Sequence, residues 1–322
     1  MNSRLDVLSF GEALVDFFAE GADGGPAQGI LLRDAERFSR HLGGAPANVA
    51  VGLARLGVQA GLMTLVGGDE FGAYVKTALE AEGVDTRGVG THRIARNAIT
   101  FVAVGPRGER SFSSYRHPSA DQMIERHDID ARLIGEAAVF HYGSSTLARE
   151  PSRDSTRFAV TLARQAGCVI SSDPNLRFHL WDDPSEAPVL VRQLLALTDL
   201  AKLSDDELAP IVGISDPVAG AQAIRALGPG LVVVTLGERG CYFDGASAGT
   251  GWVPGVRVEA VDTTGAGDGF VAGLLAELKG RRPGDLGADA VGAMCAFANR
   301  VAAKVVTSFG ATEALPRRSD LS

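Results

Sequence analysis

The chain has 322 residues, 45% apolar and 22% charged, a composition that excludes a disordered or collagen-like protein. Lys and Arg together number 31 against 39 Asp and Glu, a net charge of −8 that argues against nucleic acid as a partner. Cys168, Cys241 and Cys295 are too few and too widely spaced for a disulfide framework and fit a reducing, cytoplasmic setting.

The first predicted strand is Leu5–Phe10; Asp6, Glu12 and Asp16 interrupt anything like a signal-peptide core. Ala13–Ser39 follows with alternating and turn-rich sequence rather than a helical period. From Leu42 to Gly68 the only charge is Arg55, but the glycines, Pro46 and Asn48 divide this stretch into a helix-like half and a strand-like half. It reads as a buried αβ piece and not a membrane span. Val49, Leu53 and Leu56 mark one helical face, and the strand is Gly61–Val66. Asn97–Arg116 reads as a hairpin turning at Gly105–Gly108. Further strands are predicted at Ala138–Tyr142, Cys168–Asp173, Asp199–Leu203 and Leu231–Thr235, with helices between them, and a last helix carries Phe270, Leu274 and Leu278 on one face. The alternation predicts an α/β fold with a mainly parallel central sheet flanked by helices. The two exceptional segments, about 13–39 and 97–116, predict a small antiparallel β lid. No linker or repeat divides the chain, so residues 1–316 read as a single domain. Residues 317–322 read as a polar tail that frays.

Chemistry is expected at two glycine-rich turns. In Asp262-Thr-Thr-Gly-Ala-Gly-Asp268, the amides of Gly265, Ala266 and Gly267 lie at a helix start and form a natural anion hole. Asp268 in the first turn either merely favours the helix dipole or accepts a hydroxyl proton while the amides hold a transferring phosphoryl group. In Gly43-Gly44-Ala-Pro-Ala-Asn48, the paired glycines admit a ligand close to the backbone. Asn48 either caps the following helix or meets a polyhydroxy substrate. The six histidines show no metal-ligand spacing. Arg93, Arg96, Arg107, Arg110 and Arg116 crowd the lid. Tyr115 and Arg116 are the candidates there for touching substrate, against the default of a solvated face. Arg177 reads either as a surface ion pair or as a site residue.

The two turns, in this order and separation, resemble the signatures of the ribokinase or PfkB-type carbohydrate kinases, and the resemblance extends from Leu5 to about Pro316. Gly11–Asp16, Gly68–Gly72 and Thr235–Gly240 support it. Asp173–Arg177, Leu180-Trp181 and Lys202–Glu207 look most like fructokinases. The resemblance implies a ribokinase-like fold and ATP-dependent phosphorylation of a primary hydroxyl of a small sugar, D-fructose to fructose 6-phosphate first. Another member's substrate (2-keto-3-deoxygluconate, ribose or a riboside) and a non-catalytic sugar-binding protein stay open as alternatives. It further implies Asp268 as base, the amides of Gly265, Ala266 and Gly267 as anion hole, and Arg177 near the transferring phosphoryl group. Asp16, Gly43, Gly44 and Asn48 would meet sugar hydroxyls. Ser204, Glu207, Thr235, Gly237, Gly240 and Asn299 would line the ATP site, with Glu207 organising Mg²⁺ through water. Many relatives have Asn where this chain has Ser204, a departure that bears on metal or phosphate detail. A monovalent cation such as K⁺ would lie at Asp262, Thr264, Val305, Ser308 and Gly310. Apart from the resemblance, the exposed edges and single apolar face expected of the small sheet suit pairing with a second copy in a homodimer, and neither nucleic acid nor membrane is expected as partner.

Overall fold

The computed structural model describes residues 4–21, 29–105, 110–116 and 118–321. Much of the turn at Gly105–Gly108, most of the glycine-rich stretch after Ala19, Arg107 and His117 lie outside them. The strands are β1 (Leu5–Phe10), β2 (Leu14–Ala19), β3 (Phe38–Gly43), β4 (Ala60–Gly67), β5 (Asp85–His92), β6 (Ile99–Val104), β7 (Arg110–Tyr115), β8 (Ala137–Tyr142), β9 (Val169–Ser172), β10 (Leu200–Ser204), β11 (Leu231–Thr235), β12 (Cys241–Gly245) and β13 (Gly249–Val253). The helices are α1 (Ala45–Arg55), α2 (Glu70–Ala81), α3 (Ala131–Glu136), α4 (Ser152–Gln165), α5 (Glu186–Leu195), α6 (Asp205–Val212), α7 (Pro217–Arg225), α8 (Ala266–Leu278) and α9 (Ala288–Val305).

Nine strands form the main sheet in the order β13-β12-β11-β10-β9-β8-β1-β4-β5. The β13–β12 and β12–β11 pairs are antiparallel and the rest parallel. Central strands such as β4 and β11 are mostly apolar and buried along nearly their whole length because helices cover both faces. On one side α1, α8 and α9 bury Leu53, Phe270, Leu274 and Met294. On the other, α3, α4 and α5 bury Ile134, Val160 and Leu190.

Sequence periodicity misses β5, β12 and β13. The sequence of β5, Asp-Thr-Arg-Gly-Val-Gly-Thr-His, is that of a half-covered edge strand, and β12–β13 is a hairpin at the opposite edge. Neither produces the short apolar run that marks a buried parallel strand.

The second sheet has the order β3-β2-β6-β7; β2, β6 and β7 fall within the two segments expected to form it, whereas β3 runs on to Gly43, four residues past the expected end at Ser39. The outer pairs are antiparallel, and β2 lies parallel to β6. The chain end departs from the fraying tail expected from its polarity. Arg318–Leu321 is a 3₁₀ turn; Arg318 pairs with Glu277, its guanidinium lies over Phe297, and Leu321 packs on the core. No helix among the described residues is long and apolar enough to cross a membrane.

Candidate active site

From β1 the chain moves to β4 and β5 on one side and later to β8, β9 and β10 on the other, so the strand order reverses at the β1/β8 boundary. Crevices beyond the carboxyl ends of strands at such a reversal are the usual ligand sites of open α/β sheets. Here Glu12, just past β1, accepts hydrogen bonds from the Ser145 hydroxyl beyond β8 and, at 3.3 Å, from the Ala45 N–H that opens α1. Glu12 is buried, and burial outweighs the Arg116 charge and the Ser145 bond to raise its pKa.

The turn into α1 shows why two glycines stand there. A Cβ at Gly43 would lie 2.2 Å from Asp16 Oδ2, and one at Gly44 would lie 2.6 Å from the Glu12 carbonyl oxygen. Gly44 also has φ of 101°, a conformation open to glycine. Asp16, on β2, thus lies against the Gly43 backbone at the mouth of the crevice. Burial, then the charge of Glu313, raises its pKa to about 7, against the opposing pull of His41 and Arg116. His41 of β3 lies 2.7 Å from Glu313, which ties the smaller sheet to the loop after α9.

Asn48 is neither the cap of α1 nor aimed only at the crevice. Gly44 is the cap residue, and Asn48 sits inside the helix. Its Nδ2 donates to Asp268 Oδ2 at 2.7 Å, and its Oδ1 lies 2.7 Å from the Thr312 hydroxyl, which is equally close to the Leu42 carbonyl. Sequence reasoning gives Asn48 a sugar contact and misses Thr312 and this bond across 220 positions.

Asp268 lies in the first turn of α8, which Gly265 opens in the left-handed conformation at φ of 76°. It is 8% exposed. Burial raises its pKa to about 6; the Asn48 bond and Lys202 pull down, and Asp173 and Glu12 push up. Of the amides opening α8, that of Ala266 donates to the Thr263 carbonyl at 3.3 Å, and Gly265, Ala266 and Gly267 carry no bulky side chain over the turn.

Beneath this turn lie charges that motif reading leaves without a role. Lys202, on β10, donates to Asp173 Oδ2 at 2.9 Å, and both are about 5% exposed. Burial lowers the Lys202 pKa, but Asp173 and Glu207 outweigh it and keep the ammonium above its ordinary value. Asp173 Oδ1 is buried without a hydrogen-bond partner. Glu207 accepts from the Ser204 N–H and hydroxyl and from the Leu176 N–H, closing a capping box on α6. Buried His141 has its pKa lowered to about 4 by desolvation, so it is neutral at physiological pH.

The other expected residues divide. Ser204 and Thr235 end the neighbouring strands β10 and β11; the Thr235 hydroxyl donates to the Leu203 carbonyl. Gly237 and Gly240 have positive φ, and a Cβ at Gly240 would lie 2.2 Å from the Val253 carbonyl oxygen. Asn299, on α9, donates to the Val253 and Pro254 carbonyls and so fixes the end of β13. Asp262 accepts from the N–H and hydroxyl of Thr264 and from the Gly310 N–H, and Val261 and Asp262 donate to the Val306 carbonyl. These bonds bring the end of α9, which carries Val305, and the following loop with Ser308 and Gly310 beside the start of α8. Arg177 is exposed, and no hydrogen bond or ion pair joins it to a described residue; its charge acts on His179, as does that of Arg116. Arg116 is buried and ion-paired with Asp121, and Tyr115 is 63% exposed. Among the described residues no three His, Cys, Asp or Glu side chains converge to hold a metal directly.

The chain belongs to the pfkB family of carbohydrate kinases, whose pattern matches residues 4–318. Fructokinase-1 of Oryza sativa subsp. japonica is 40% identical over 313 residues, covering 96% of this chain and 94% of that protein. The fructokinase of Vibrio cholerae O395, solved with fructose, ADP and calcium bound, superposes with a TM-score of 0.86 at 32% identity, covering 99% and 98% of the two chains. That of Xylella fastidiosa, solved with bound ATP, gives 0.87 at 30% identity, covering 99% and 97%.

Proposed function

We propose that the protein is an ATP-dependent fructokinase converting D-fructose to fructose 6-phosphate. The observation that carries this reading is a buried Asp268, held by Asn48, beside the opening amides of α8. The O6 hydroxyl attacks the γ-phosphorus of ATP, the bond from that phosphorus to the β–γ bridging oxygen breaks, and ADP leaves. The hydroxyl proton passes to the Asp268 carboxylate, while the first-turn amides around Gly265, Ala266 and Gly267 stabilise the charge on the phosphoryl group. Asp16 and the Gly43–Gly44 turn receive the sugar; Ser204, Thr235, Gly237 and Gly240 receive the nucleotide. The Asn299 amide acts there indirectly, through the β13 end it fixes.

Mg²⁺ fits this set through water rather than direct ligation, since it keeps much of its hydration in phosphate sites. Asp173 Oδ1 is an unspent buried acceptor, and Glu207 lies beside it. When bound, the ion neutralises phosphate charge. The carbonyl-rich loops tied by Asp262 are the corresponding reading for K⁺.

A neutral sugar is favoured over a keto acid by Arg116. Asp121 and nearby Glu12 already compensate its charge, so no unpaired cation awaits a substrate carboxylate there. The partly buried rings Phe17, Phe38 and Phe101, with exposed Tyr115, lie on one lid face and support a homodimer, testable by sedimentation. Three buried free cysteines fit a cytoplasmic setting.

ADP release measured with fructose, ribose, 2-keto-3-deoxygluconate and a purine riboside tests the assignment. Fructose is expected to lead in kcat/KM by at least about tenfold, a difference of about 1.4 kcal/mol. A lead for the keto acid would overturn the fructose assignment. Asp268→Asn should lower kcat by roughly 10²–10⁴-fold with little change in fructose affinity. Near-normal turnover by the folded variant would remove Asp268 as base.

A further inference from the structure

On β10, Ala201 and Leu203 face the cluster formed with α5, α6 and α7, while Leu200 faces the α8 side. Lys202 shares that second face, at a position where the sheet elsewhere packs apolar side chains. A buried ammonium is costly unless its charge and donors are used. Asp173 Oδ2 takes one of its three N–H groups, and no other described residue accepts a hydrogen bond from it. Asp173 Oδ1 is likewise unspent.

The direction of Lys202 follows from Gly267. A Cβ built there would lie 3.1 Å from Lys202 Nζ and within 4 Å of no other non-neighbouring atom. The ammonium therefore borders the open space before the second residue of α8, beside the first-turn amides. The carboxylates acting on it are Asp173, Glu207 and Asp268, with Glu12 next to Asp268. Against that charge an incoming triphosphate needs a cation, and Lys202 is one that borders the Gly267 turn.

Resting on the kinase reading above, we propose that Lys202 is a catalytic residue whose ammonium contacts a non-bridging oxygen of the phosphoryl group in flight. In phosphoryl transfer, charge spreads over those oxygens, and a pre-placed cation in a water-poor site acts on it without reorganising. Gly267 is small for two reasons on this view: it exposes its amide, and it leaves the path from Nζ to the phosphoryl group open.

The test combines the wild-type enzyme with Lys202→Met. A crystal structure of the wild type with ADP, Mg²⁺, fructose and aluminium fluoride should place Nζ within about 3.2 Å of a fluoride. Lys202→Met should lose roughly 10²–10³-fold in kcat, and affinity for ADP–aluminium fluoride with fructose should fall by a similar factor. Affinity for fructose alone should stay within about twofold, because that interaction forms only with the transferring group. If Lys202 merely neutralises Asp173, the variant loses thermal stability, and ground-state and fluoride-complex affinities fall together; that result overturns the proposal. A variant that does not fold leaves the decision with the wild-type crystal. There a fluoride farther than about 4.5 Å from Nζ overturns it, well beyond hydrogen-bond reach. Wild-type enzyme inactive on every sugar would instead overturn the kinase reading beneath it.

Discussion

Replacing Asn48 by Ala removes the hydrogen bond that Asp268 Oδ2 receives at 2.7 Å while leaving the helix intact. Hydrogen bonds to a charged group contribute about 1.5–3 kcal/mol. At 1.36 kcal/mol per pKa unit, losing that contribution raises the carboxyl by roughly one to two units. The starting value is about 6, set by burial and held down by this bond. The variant should therefore titrate at about 7–8, and at pH 7 the ionised fraction should fall from about nine-tenths to between about half and a tenth. Since only the carboxylate accepts a proton, kcat at saturating fructose, where sugar already occupies the Asp16 site, should rise with pH through about 6 in the wild type. The same limb should lie about one to two units higher in Asn48→Ala. Rates of ADP release from pH 5 to 9 measure both limbs. An unmoved limb with a raised KM for fructose would refute this reasoning and restore Asn48 to a sugar-contact role alone. The linked stability effect has a defined sign. The folded-state pKa exceeds the ordinary 3.8, so the native protein holds this proton more tightly than the unfolded chain. The contribution of Asp268 to stability is thus greatest below about pH 4 and declines as pH rises through about 6.

Gly43→Ala should displace the Asp16 carboxylate, because the new Cβ would meet Oδ2 at 2.2 Å and Cγ at 2.7 Å. Loss of one charged hydrogen bond to sugar predicts a KM for fructose raised by roughly 10–150-fold with a smaller effect on kcat; an unchanged KM would remove Asp16 from the sugar site. Closure of the smaller sheet over substrate predicts that fructose plus a non-hydrolysable ATP analogue slows hydrogen exchange in β2, β3, β6 and β7, with little change in α4. Uniform slowing across the chain, or none in those strands, would count against a moving lid.

The sequence by itself determined the parts of this protein that depend on neighbouring residues. Buried parallel strands read as short apolar runs, and β1, β4, β8, β9, β10 and β11 stand close to where those runs predict them. The two glycine turns are legible because backbone approach and the opening of a helix restrict side-chain size within a few positions. Those turns, in order, also carried the family resemblance. Weaker local patterns left β5, β12 and β13 unseen: the edge strands β5 and β13 show no continuous apolar run, and in buried β12 the run Cys241-Tyr-Phe is cut short by Asp244.

Only the tertiary structure decided which side chains share the crevice. Asn48 meets Asp268 because α1 and α8 pack on the same face of the sheet, and Thr312 joins them from the last loop. Lys202 looks in sequence like an ordinary charge before a helix cap; the register of β10 turns it inward against Asp173 and toward Gly267. Arg116 looks like a free lid cation until Asp121 is found paired with it in the interior. Local patterns fix φ, ψ and polarity over a few residues. The electrostatics of the site come from carboxylates and an ammonium carried on separate strands and helices, and crossover topology alone brings those charges within a few ångströms.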